Sequence, residues 1–268
     1  MRASSLSIFA VLFAGLSCAA SQTSNVNVGM GLPCEQFGDA RSGEPTAPEG
    51  IDAVGDVAAW CEFPGGGTPV RSGPYVSWYG DGRVATRGAF RSGLPHGIWL
   101  VSRPDGSPKM LARFRDGQAD GTWTVFFDSG QPMSDLPYVS GALEGVAVHY
   151  YESGAVWQEI HYERGQQDGV TRLWREDGSL DVESHWKRGS QDGVETRYFA
   201  TGKPRSVTAY REGKRDGLYR AFYPSGALRV EGTFRDGERT SSWKEFPEPA
   251  ATGSRGKPPS PPAANPTD

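Results

Sequence analysis

Glycine recurs in this chain every 24 residues, in three columns that never lose step. Gly73, Gly97, Gly121, Gly145, Gly169, Gly193 and Gly217 form the first, and Gly82, Gly106, Gly130, Gly154, Gly178, Gly202 and Gly226 the second. Gly93, Gly117, Gly141, Gly165, Gly189, Gly213 and Gly237 form the third. A fixed period held over seven units without an insertion marks a tandem repeat, in which one supersecondary element is copied along the chain. Each glycine costs a helix about 1 kcal/mol relative to alanine. Three of them per unit leave strands joined by tight turns as the workable element.

Aromatic residues share the period. Phe90, Phe114, Tyr138, Tyr162, Trp186, Tyr210 and Phe234 form an unbroken column. Trp78, Phe126, Tyr150, Trp174, Tyr198, Phe222 and Phe246 form a second, broken at Ser102, and Tyr75, Trp99, Trp123, Tyr219 and Trp243 a partial third. In the unit that opens at Gly193, Val194 to Phe199 reads as a strand, Ala200-Thr201-Gly202 as a turn, and Arg205 to Arg211 as the returning strand. The pairs Asp105-Gly106, Asp168-Gly169, Asp177-Gly178, Asp192-Gly193 and Asp216-Gly217 are good turn formers. A lone hairpin is marginal in water, so the units must stack and bury one another's rings. The fold class is therefore all-β: an elongated, twisted antiparallel sheet of tandem β-hairpin repeats. Two strands per unit at about 4.8 Å give a length on the order of 70 Å. The unbroken column is expected to be the inward spine, each ring packed on those one unit before and after, so that losing Trp186 at mid-array costs more than losing Phe234 near the end or the outward candidate Tyr151.

The glycine and aromatic pattern resembles the MORN repeat in its bacterial variant form. The stretch from Arg115 to Gly130, RDGQADGTWTVFFDSG, and that from Glu212 to Gly226, EGKRDGLYRAFYPSG, carry the likeness, which spans about residues 73–246. The resemblance implies β-hairpin arrays that serve protein interaction, scaffolding or membrane-proximal assembly. Some bacterial relatives are labelled as the antitoxin of a toxin–antitoxin pair, a role that an export signal argues against.

Such a signal is legible. A basic start at Arg2 precedes the apolar run Leu6 to Leu16 and small residues to Ser21, so residues 1–20 read as a secretory signal too short to span a bilayer. Cys18 has three readings: the lipidated first residue of a mature lipoprotein, the signal then ending at residue 17; part of an ordinary cleavage site before Ser21; or a signal-region cysteine with no role. Export would place the protein in the periplasm, at the outer membrane through a lipid anchor, or outside the cell. An oxidising compartment favours a Cys34–Cys61 disulfide over two buried thiols. Residues 21–57 read as an irregular polar leader carrying Cys34. Residues 58–246 read as the array of about seven units with partial ends, and residues 247–268, with seven prolines, as a disordered tail. Val57 to Phe63 reads as a strand that the disulfide would tie to the leader, capping an open edge.

Function classes narrow from there. The formal charge is −4 with both signs interspersed, which gives no basic footprint for nucleic acid and no polybasic patch for anionic lipid. His96, His149, His161 and His185 do not all share one column and have no fixed nucleophile beside them, so they read as sheet residues rather than a triad. Each loop offers about one aspartate, too few oxygens for calcium. No catalytic residue, metal site or cofactor is expected. The pairs Trp78-Tyr79, Phe126-Phe127, Tyr150-Tyr151, Tyr198-Phe199 and Phe222-Tyr223 recur at one position. Neighbouring strand residues point to opposite faces, so one ring of each pair packs inward and the other either stands out or is covered by curvature. Tyr79, Phe127, Tyr151, Phe199 and Tyr223 are the candidate exposed rings for a partner's surface.

Two readings of function remain from the sequence. The first is a non-catalytic interaction or scaffolding module for an envelope protein. The second is a module for cell-wall carbohydrate or choline, since choline- and glucan-binding repeats also use Gly-Trp hairpins, although with a shorter period and a Trp-Tyr-Tyr run absent here. Intact mass tests the redox assignment: the exported protein should gain two hydrogens under reductant, and a chain with two free thiols would refute the pairing.

Overall fold

The computed structural model describes residue 34 and residues 39–63, 68–240 and 243–249. Its 21 strands belong to one sheet, paired antiparallel throughout. They pair in chain order: Val70–Trp78 with Val84–Arg91, then Leu94–Ser102, then Pro108–Arg115, and so on to Lys214–Phe222 with Leu228–Arg235. The sheet does not close. Its first strand, Asp39–Gly43, pairs with Val57–Phe63, and the last segments, Glu238–Arg239 and Lys244–Glu245, pair with Leu228–Arg235. This is the elongated meander that the 24-residue period demands. The signal stretch with Cys18 and the tail beyond Pro249 lie outside the described residues.

Two kinds of turn alternate, and the third glycine column explains one of them. Ser92 and Gly93 both have positive φ, 49° and 83°, which makes the connection a two-residue type I′ turn whose twist matches that of the flanking strands. The same geometry recurs at Asp116, Ser140, Arg164, Arg188, Glu212 and Asp236, each followed by glycine. A left-handed non-glycine residue costs roughly 1–2 kcal/mol, and bonds between units offset it. Gly93 N donates to Arg71 O at 2.7 Å, and the equivalent bonds run from Gly117 to Pro95, Gly141 to Ala119, Gly165 to Leu143, Gly189 to Gln167, Gly213 to Gln191 and Gly237 to Arg215. The left-handed residue's own amide is capped from the preceding unit: Arg164 N donates to Glu144 at 2.7 Å, Arg188 N to Asp168 at 3.1 Å and Glu212 N to Asp192 at 3.2 Å. The aspartates of Asp168-Gly169 and Asp192-Gly193 therefore do more than favour a turn, since they link units.

At the other end, Gly82 N donates to Tyr79 O and Tyr79 N to Arg83 O, both at 2.8 Å, closing a three-residue turn with glycine at its left-handed position. Asp81 accepts from Arg83 N, as Asp105 and Asp177 accept from Ser107 N and Ser179 N.

The core differs from the expected spine. The partial third column is the deepest: Tyr75, Trp99 and Trp123 are 1%, 0% and 5% exposed. The unbroken column lies on the same face, but its rings do not stack on one another. They alternate with the third column in a chain of contacts from Tyr75 through Phe90, Trp99, Phe114 and Trp123 to Tyr138, with centroids 4.9–6.3 Å apart. There the ladder stops, because the third column reads Ala147, Thr171 and Glu195 through the next units. Among the described residues Tyr162, Trp186 and Tyr210 make no ring contact, and Trp186 is half-buried, bonded through its indole N–H to Ser184. The ladder resumes at Tyr219, Phe234 and Trp243. Space is made for the flat indoles by glycine on the adjacent strand: a Cβ on Gly88 would stand 2.1 Å from the Trp99 ring, and one on Gly232 would stand 2.3 Å from Trp243.

The leader is also more structured than its composition suggests. Asp39–Gly43 is a strand, and Cys34 is bonded to Cys61, their Cα atoms 5.5 Å apart. Residues 44–56 then cross the ring face of the first units. Thr46 N donates to the Tyr75 hydroxyl at 3.0 Å, Gly50 lies against Trp123, and Ile51 is 7% exposed. Ser77 donates to Val54 O, Asp56 N to Trp78 O, and Asp52 pairs with Lys109 at 2.8 Å. Ala47 and Val54 complete the cover. The polar, proline-bearing segment is a lid on the N-terminal rings.

Removing a large buried ring costs about 3–5 kcal/mol. Trp99→Ala should therefore lower stability in urea melts by that amount, and Trp186→Ala by clearly less; the reverse order would show that the half-buried column is the true core.

Candidate interaction face

The five candidate exposed rings fall in one structural column that also contains Arg103 and Arg175. All seven side chains are half-buried at the corner where the three-residue turn begins. Each side chain with a polar tip reaches the carbonyl 23 residues ahead. The hydroxyl of Tyr79 donates to Ser102 O at 2.7 Å, that of Tyr151 to Trp174 O at 2.9 Å, and that of Tyr223 to Phe246 O at 3.0 Å. Arg103 and Arg175 donate through Nη2 to Phe126 O and Tyr198 O, both at 2.6 Å. Tyrosine and arginine interchange because both carry a donor at similar reach. Phe127 and Phe199 occupy the position without one. Burial pushes the Tyr79 phenol above its ordinary pKa. The column works as a row of latches between hairpin corners. The two arginines hid it from a search for rings, and a search for long side chains ending in a donor would have found it.

Three of the histidines hold separate partners. His96 Nδ1 lies 3.4 Å from the Asp116 amide, His149 shares a 2.7 Å bond with Ser134, and His185 Nδ1 bonds to Val194 O. Burial pulls the His149 pKa down, which keeps its ring neutral. Ser134 is itself buried, and the neighbouring Asp135 is held from the other side by Thr124 and Tyr150. Burial, and after it the hydrogen bond to Asp135, push the Tyr150 phenol up to about 12. No group of three or more His, Cys, Asp or Glu residues is placed to hold a metal among the described residues.

The ring face itself holds the better candidate. Over its C-terminal units lies an open depression of about 370 Å³, lined by Tyr219, Phe234 and Trp243 and by Arg197, Arg205, Arg215, Arg229 and Arg239, with Glu195 as the lone carboxylate. Glu195 pairs with Arg197 at 2.8 Å, and this bond raises the guanidinium's pKa further. Arg215 lies over the Phe234 ring at 5.3 Å and Arg239 over Trp243 at 4.0 Å. Arg205 and Arg229 are exposed and form no ion pair among the described residues. Five cations against one anion, on a floor of three rings, favour an anionic ligand with apolar parts.

Residues 119–140, 143–164 and 215–236 each match the family described as MORN repeat variant. Over part of its length, the chain is thus similar to MORN-variant repeats. The three matched segments are in phase with the 24-residue period, and each ends on the left-handed residue of a type I′ turn: Ser140, Arg164 and Asp236. A MORN-variant unit here is thus a strand, a three-residue turn and a returning strand. No curated protein matches the chain.

The latches of the MORN-variant units can be tested singly. A net hydrogen bond is worth about 1 kcal/mol, so Tyr151→Phe should lower the unfolding free energy by about that much. Phe199→Tyr should raise it by a similar amount, by adding a latch to Phe222 O. Unchanged denaturant midpoints in both variants would remove the column's structural role.

Proposed function

We propose that this is an exported, non-catalytic interaction module of the cell envelope, which offers the C-terminal half of its ring face to a protein partner. The observation that carries the reading is an asymmetry among the described residues: the leader covers the ring face of the first units, while none of them covers the same face of the last units. A buried ring cluster of this kind is ordinary core when covered. Left open and rimmed by unpaired arginines, it is a surface that a partner can bury. The Cys34–Cys61 disulfide fits an oxidising compartment, which supports export and with it a periplasmic or outer-membrane site of action. The sheet supplies length and rigidity rather than reacting groups.

A wall glycan or choline ligand would call on the ladder of rings at the hairpin corners. Three of those five rings donate their hydroxyls to backbone carbonyls, so the open groove takes precedence and a protein partner is preferred. Crosslinking in envelope fractions with the wild-type chain and with an Arg205→Glu, Arg229→Glu variant tests this. The wild type should trap a discrete adduct that the variant loses, while both chains keep the same melting temperature. Equal adducts from the two chains, retention on glycan or choline resin, or turnover of a substrate abolished by a point substitution would overturn the reading.

A further inference from the structure

The two ring clusters are copies six units apart, and among the described residues only one of them is covered. Arg71, Tyr75, Gly88, Phe90 and Trp99 correspond to Arg215, Tyr219, Gly232, Phe234 and Trp243. Tyr75 and Trp99 lie 5.3 Å apart at 30°, and Tyr219 and Trp243 lie 5.3 Å apart at 32°. Phe90 meets Trp99 at 5.2 Å and 85°, as Phe234 meets Trp243. The N-terminal copy shows what this arrangement binds. Its occupant, residues 44–56, has no strand or helix and turns where Ile51 N donates to Pro48 O; it is rich in proline and alanine, with four carboxylates at Glu44, Glu49, Asp52 and Asp56 and no basic residue. It gives a backbone amide to the Tyr75 hydroxyl and takes a hydrogen bond from Arg71 on Thr46.

We infer that the C-terminal copy binds, in trans, an acidic, proline-bearing segment of a partner protein with the chemistry of residues 44–56. The inference rests on the interaction-module reading above and names the class of partner. Tyr219 makes no hydrogen bond through its hydroxyl among the described residues, so an incoming amide has the acceptor that Thr46 uses on Tyr75. Arg215 stands where Arg71 stands. Arg205 and Arg229 occupy the column in which Lys109 pairs with Asp52, so the open copy has more positive charge than the filled one. The chain's own tail fits less well: residues 247–268 carry Glu248 and Asp268 against Arg255 and Lys257 and have no net negative charge to offer.

The probe is a fluorescent synthetic peptide of residues 44–56, titrated into the oxidised mature chain and read by anisotropy. Binding should be saturable and should weaken as salt rises, because the contacts are between charges. It should fall at least about tenfold on Arg229→Glu, the loss of a charge-assisted contact of about 1.4 kcal/mol, and should vanish when the peptide's four acids are replaced by their amides. Trp243→Ala should abolish it too; if that variant melts early, Arg229→Glu alone decides, since its side chain is exposed. No binding by a folded chain, or binding indifferent to Arg229→Glu, overturns the inference. So does binding that emerges only after residues 250–268 are removed, which would make the tail the occupant, or self-association in sedimentation that Arg229→Glu abolishes, which would make it a second copy. If the peptide fails while the envelope adduct still depends on Arg205 and Arg229, the interaction reading stands and the acidic-segment assignment alone falls.

Discussion

The amide of each turn glycine donates to a carbonyl 22 residues earlier, and the order of the sheet follows from that contact. It holds the type I′ turn of one unit over the first residues of the preceding unit's long strand, as Gly93 over Arg71. The turn can form only with two successive left-handed residues, and the second is always glycine. The carboxylate caps from Glu144, Asp168 and Asp192 and the corner latches from Tyr79, Arg103, Tyr151, Arg175 and Tyr223 tie the same neighbours together at other points. Because all three sets bridge adjacent units at fixed offsets, one added residue would break them together at that junction. That accounts for seven units with no insertion.

Side-chain packing is less uniform than this backbone frame. The ring ladder is continuous from Tyr75 to Tyr138, lapses through the units that carry Ala147, Thr171 and Glu195, and returns at Tyr219. Through the gap the same face is filled by hydrogen-bonded polar groups, including Gln167 on Thr171 and Gln191 on Glu195. In a quasi-one-dimensional array, stability is a sum over units and their interfaces, so the middle relies on backbone bonds and the ends on rings. The glycines beneath Trp99 and Trp243 show the end clusters as fitted pairs, in which a large side chain on one strand requires none on the next.

Much of this was legible beforehand. The glycine period gave the strands, the positions of both turns and the open meander, and the redox logic of Cys34 and Cys61 gave the bond that is present. What escaped was whatever did not repeat. The deepest column was underrated because Ala147, Thr171 and Glu195 interrupt it, and continuity was mistaken for depth. Five aromatic members make the latch column look like a row of rings, whereas the property that Tyr79, Tyr151 and Tyr223 share with Arg103 and Arg175 is a donor. Residues 44–56 lack periodicity and are rich in proline and acid, which is the composition of a solvated connector. Only their contacts with Tyr75, Trp99 and Trp123 reveal them as a cover.

The interrupted ladder also turns the chain into a ruler. Because each unit touches only its neighbours, the polar middle can in principle gain or lose whole units without disturbing the disulfide-tied lid at one end or the open arginine-rimmed cluster at the other. Each such step would move one end by two strand spacings, about 10 Å. The distance between a fixed N-terminal attachment and whatever the far cluster grips is thus a length the sequence sets in increments of 24 residues.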